Sequence, residues 1–138
     1  MSAFKKVNGI LHFEDVSLES IARNYGTPCY VYSRAAIELA FREYTNACEG
    51  HDALVCYAVK ANSNLAILNV LARLGAGFDI VSAGELARVL KAGGDPNKVI
   101  FSGVGKSETE IRFALDTGIR SEEHTSELQS QSTISYAV

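Results

Sequence analysis

One lysine stands where chemistry is plausible on position alone. Lys60 closes the apolar run ALVCYAVK (53–60) and is followed, after Ala61, by the polar triplet Asn62-Ser63-Asn64. An amine at the foot of an apolar strand loses part of its hydration, which lowers its pKa and makes it a better nucleophile toward an aldehyde. The competing reading is a strand-end lysine that simply reaches water. Ser82 and the pair Ser102-Gly103 also end apolar runs, GFDIVS (77–82) and VIFSG (99–103). In folds with parallel strands, the C-terminal strand ends converge on one mouth, where active sites are built.

The elements that position these residues follow from periodicity and caps. Each apolar run precedes a helical pattern: NLAILNVLARLG after the first, AGELARVLKAGG after the second, ETEIRFALDTG after the third. Ser82 with Glu85, and Ser107 with Glu110, have the S-x-x-E spacing of a capping box, a sufficient local task for all four. Strands alternating with helices predict a parallel sheet with crossovers, and unbroken apolar strands predict burial on both faces. Upstream, Ser17 caps a helix in LESIARNYG, CYVYS (29–33) has strand composition, and Ser33 caps a second helix. Ile37, Phe41, Tyr44 and Cys48 recur there at helical spacing, which marks them as packing positions. The pattern stops near Ile119. Three strand–helix units fall short of a (β/α)₈ barrel of about 250 residues, and in a doubly wound sheet they leave an edge uncovered.

The bulk numbers exclude several classes. The chain has 138 residues, 47% hydrophobic and 21% charged, with a net charge of −3, so it lacks the basic field of a nucleic-acid binder. No apolar run approaches the roughly 20 residues that span a bilayer, and no signal peptide is expected. Cys29, Cys48 and Cys56 are odd in number and widely spaced, which fits a reducing cytoplasm and argues against disulfides and zinc. His12, His51 and His124 show no ligand spacing, and no metal site is expected.

Three blocks, YAVKANSN, LGAGFDIVSAGEL and KVIFSGVGKS, stand in order across residues 4–119. Together they resemble the amino-terminal part of the diaminopimelate decarboxylase family, pyridoxal-phosphate enzymes of the alanine-racemase-like barrel group. The resemblance implies an α/β fold, an incomplete (β/α)₈ TIM-type barrel of three βα units. Before it come a helix and a strand, CYVYS, that normally belongs to a second, β-rich domain. It implies that Lys60 holds pyridoxal 5'-phosphate as a Schiff base and that Asp79, in GFD, lies near the cofactor. Asp79 is equally a strand-end acid in a hydrogen-bond network. The family acts on an amino acid as a homodimer, decarboxylating meso-diaminopimelate to L-lysine in lysine biosynthesis. Related decarboxylases acting on ornithine, arginine or a carboxylated polyamine such as carboxynorspermidine, and a non-catalytic pyridoxal-phosphate carrier, are the alternatives. Much of the family's machinery is normally encoded later, so this chain alone is expected to be inactive and prone to aggregate.

Residues 120–138 lack apolar periodicity and are expected to form a disordered, non-native tail, distinct from the barrel part at 1–119. RSEEHTSELQS can be encoded by the opening of a common short-read sequencing adapter. ISYAV follows from the adapter's continuation in the same frame. A library scar of this kind would carry no information about the fold.

Overall fold

The computed structural model describes residues 4–103 and 105–119, and the backbone of Ser121–Glu122. It divides into two compact units, residues 1–43 and 44–138. The expected disordered tail otherwise lies outside the described residues.

The first unit opens with a feature the periodicity did not announce. Strands β1 (Phe4–Val7) and β2 (Ile10–Phe13) pair antiparallel, and β3 (Val16–Ser17) adds to β2. Asn8 (φ 51) and Gly9 (φ 82) form the turn, the Asn-Gly pair that tolerates left-handed backbone at both central positions of a tight hairpin. Helix α1 (Leu18–Tyr25) follows as expected, with the Ser17 hydroxyl accepting from the Ser20 N–H at 3.0 Å. Helix α2 (Arg34–Ala47) is capped by Ser33, whose Oγ accepts from the Ala36 N–H. Glu14 accepts from the Ser33 hydroxyl and the Ala35 N–H, and these two bonds hold its carboxyl below the usual range.

Two expectations are corrected here. Cys29–Ser33 forms no strand ladder among the described residues, because strand propensity supplies no neighbouring edge to bond with. Its Tyr30 is 90% exposed and stacks on Tyr32. On α2, Phe41 is buried and Ile37 is half-buried, as is Cys48 just beyond its end, but Tyr44 is 68% exposed rather than packed.

The second unit carries the predicted alternation. Strands β4 (Cys56–Ala58), β5 (Gly77–Ile80), β6 (Val99–Phe101) and β7 (Ser121–Glu122) form one parallel sheet in chain order. Helices α3 (Leu65–Arg73), α4 (Ala83–Lys91) and α5 (Glu108–Thr117) connect them. Phe78, Ile80, Val99 and Phe101 are buried together with Leu68, Leu71, Leu86, Val89 and Ala114 of the helices. The alternate positions Ala58, Asp79, Ile100 and Ser102 are only half-buried, and register places Ala58 beside Asp79 and Asp79 beside Ile100. The expectation of burial on both faces is met only in part: the face that bears Asp79 is half-buried, while Phe78, Ile80, Val99 and Phe101 are buried. The same sheet edge takes Ser121 opposite Ile100 and Glu122 opposite Phe101, so the segment after Ile119 begins in backbone pairing.

Candidate active site

The site is built at the C-terminal ends of β4, β5 and β6. After Ala58 the chain leaves the ladder for a single 3₁₀ turn, Val59–Ala61. Val59 is fully buried and plugs this turn into the core, while Lys60, next to it, is exposed. Of the two readings that its place after an apolar run leaves open, the structure shows the lysine that reaches solvent.

The polar triplet after Lys60 has a structural task. The Asn62 N–H donates to the Val59 carbonyl at 3.1 Å, closing the turn. Asn62 Oδ1 accepts from the Asn64 N–H at 3.0 Å, and Asn64 Oδ1 accepts from the Ala66 N–H at 2.9 Å as the N-cap of α3. Arg88 on α4 donates to the Ser63 carbonyl. The Tyr57 hydroxyl donates across the turn to the Asn62 carbonyl at 3.2 Å. Short polar side chains that bond their own backbone are what a strand needs to turn into a helix within a few residues.

One strand over, Asp79 Oδ1 accepts from the Ser102 hydroxyl at 2.5 Å. The carboxylate is therefore oriented from the residue that follows β6, a partner 23 residues away that spacing alone does not reveal. Cys56, two residues before Ala58 on β4, belongs to the same neighbourhood. Burial pushes its thiol up, and the Asp79 carboxylate adds to the rise because a nearby negative charge opposes a thiolate.

The two S-x-x-E pairs differ. Ser107 and Glu110 form the reciprocal capping box of α5. At α4 the Ser82 hydroxyl accepts from the Glu85 N–H, but the Glu85 carboxylate turns back to the Val81 N–H at 2.8 Å. Glu110 reaches further than a box requires: its second oxygen accepts from the Ala83 N–H at 3.1 Å and joins the first turns of α4 and α5. Lys106 donates to the Gly103 carbonyl and stands over the Phe101 ring at 5.1 Å. Among the described residues no group of His, Cys, Asp and Glu converges as a metal site, and no helix is long and apolar enough to cross a membrane.

An accessible primary amine at a strand end, a fixed carboxylate on the adjacent strand and a half-open sheet face are a donor set suited to a carbonyl cofactor. Known proteins point to the same chemistry. The model of the pyridoxal-dependent decarboxylase pyridoxal-binding domain matches residues 34–135. A diaminopimelate decarboxylase of Pseudomonas fluorescens is 60% identical over 119 residues, covering 86% of this chain and 29% of the relative. Its counterpart in Vibrio cholerae is 58% identical over 113 residues, covering 82% of this chain and 27% of the relative. The crystal structure of the M. jannaschii diaminopimelate decarboxylase in complex with L-lysine superposes with a TM-score of 0.82 at 31% identity, covering 89% of this chain and 30% of that one. The chain thus spans under a third of the length of these relatives. With more than half of its residues inside the family's domain, the chain belongs to the pyridoxal-dependent decarboxylases.

Proposed function

We propose that the chain is the amino-terminal part of a diaminopimelate decarboxylase, a carboxy-lyase that releases carbon dioxide from meso-diaminopimelate to give L-lysine. The observation that carries the reading is the exposed amine of Lys60, held at the end of β4 beside the strand that bears Asp79. Pyridoxal phosphate, when bound, supplies the electron sink that decarboxylation needs. Lys60 Nζ is the covalent anchor and the catalytic amine. Asp79, fixed by the Ser102 hydroxyl, contributes a charge of constant orientation to the same mouth. The substrate class rests on the names of the relatives at 58 and 60% identity. A cytoplasmic homodimer is the assembly we infer for the whole enzyme. The present 138 residues turn over no substrate by themselves in this reading, since they match under a third of each relative.

Incubation of the chain with pyridoxal phosphate, borohydride reduction and peptide mapping test the anchor. The expected result is one dominant adduct on Lys60 that is lost in Lys60→Ala. Adducts spread evenly over the surface lysines would sink the assignment.

The division at residue 119 is part of the proposal: residues 120–138 are foreign to the family and derive from a sequencing adapter. The in-frame match of RSEEHTSELQS and ISYAV to the adapter supports it, whereas the family match running to residue 135 and the backbone pairing of Ser121–Glu122 stand against it. Reading genomic DNA across codon 119 decides between them. A frame that continues into further barrel strands supports the adapter origin, and a genomic RSEEHTSELQS refutes it.

A further inference from the structure

We propose that Tyr57 is a positioning residue for Lys60. This rests on the reading of Lys60 as the amine that anchors the cofactor.

The argument begins with what fixes the backbone on either side of that amine. Val59, the residue before Lys60, is buried without remaining exposure. Asn62, two residues after it, is held from three directions. Its N–H donates to the Val59 carbonyl, its side chain accepts from the Asn64 N–H, and its carbonyl accepts from the Tyr57 hydroxyl. The first two bonds are local and travel with the turn wherever it goes. The third differs, because Tyr57 lies inside β4, paired in register with Phe78 of the buried β5. A bond from this strand to the far side of the turn ties the loop that carries Lys60 to the rigid sheet. Tyr57 is half-buried, so part of its side chain is shielded from solvent. A long, exposed lysine has many rotamers, and its backbone position is the part of its geometry that the fold can fix. The aromatic ring serves packing in the strand; the hydroxyl serves the turn.

Tyr57→Phe keeps the ring and removes the hydroxyl. Two readouts follow in the full 138-residue chain. The Asn62 amide should exchange about fivefold faster with solvent, the equilibrium worth of one net hydrogen bond, while the Phe78 and Ile80 amides keep their protection. Across a pH series, reductive trapping of pyridoxal phosphate on Lys60 should fall severalfold. If wild type traps the cofactor on Lys60 and Tyr57→Phe traps it equally at every pH, the proposal is overturned. It is also overturned if β5 protection collapses together with trapping, since Tyr57 is then a packing residue only. If wild type gives no Lys60 adduct, the cofactor reading fails by itself. The exchange rates still judge the tether: an unchanged Asn62 amide refutes it, and faster exchange with an intact β5 upholds it.

Discussion

Glu110 gathers more bonds than any local rule assigns to it. One oxygen accepts from the Ser107 N–H and hydroxyl, and the other from the Ala83 N–H. These bonds, led by the one from the Ser107 backbone, hold its carboxyl below the usual value. A carboxyl depressed in the folded state contributes stability above its unfolded pKa, and this is lost as pH falls through the folded value. Glu110→Ala should therefore be less stable than wild type by about 0.3–1 kcal/mol at pH 7, the usual worth of a carboxylate at an exposed helix N-terminus. Denaturant titrations at a series of pH values should show the two converging as pH falls below the ordinary glutamate range, toward protonation of the wild-type carboxyl. A difference that is constant with pH would show that packing, not the charge, stabilises the helix ends. Asp79 gives a second test at this scale. Asp79→Asn should lower the Cys56 pKa, yet leave it above an ordinary thiol, because burial is the larger cause. Mass-mapped alkylation of Cys56 against pH reads this directly, and an unmoved profile would separate the two groups electrostatically. The capping role of Ser107 and Glu110 was legible from their spacing. The reach to Ala83 was not, because it arises only when parallel strands stack successive helix starts side by side.

At the level of elements, the strand–helix alternation of residues 53–119 was legible because burial imposes it on composition. Strand lengths shrank to three or four residues, since a ladder needs a paired neighbour as well as an apolar run. The N-terminal hairpin went unread: its one local signal is Asn8-Gly9, and the flanking FKKV and ILHF lack clean alternation. Gly77 illustrates a constraint that appears only in three dimensions. A Cβ built there would stand 2.5 Å from Cys56 Sγ and 2.8 Å from the Lys98 carbonyl. A backbone oxygen cannot swing aside as a side-chain tip can, so Gly77→Ala forces β5 away from its neighbours. We expect a loss of about 1–3 kcal/mol, the range for overpacking, seen as a lower denaturation midpoint. Gly105→Ala serves as the control, because nothing lies within 4 Å of the site. Equal midpoints for the two variants would mean that the strands have room to part.

For the whole molecule, stability is concentrated in one of the two units. The side chains with under 2% exposure, Phe78, Leu68, Ile80, Leu86, Val59, Val89 and Val99, all belong to residues 44–138. Within residues 4–43 the buried side chains are Phe41 and Ser33, while Phe4, Val7, Ile10, Leu11, Val16, Tyr25, Tyr30 and Tyr32 are exposed. The motifs of the sequence reached the family because they lie around the strand ends of the better-packed unit. They did not disclose how thin the packing of the first unit is, since its apolar content matches that of a folded domain while its side chains stay in water. Local opening costs little where few apolar contacts must be broken. Amide exchange should therefore be slowest in β5 and β6, at the free energy of global unfolding of that unit. The β1–β2 hairpin should exchange within about a hundredfold of an unprotected peptide, as a marginal two- or three-stranded sheet does. Protection of Val7 and Ile10 equal to that of Phe78 and Phe101 would show that the hairpin shares the cooperative core. Its exposed apolar side chains would then need a covering surface that lies outside residues 4–43.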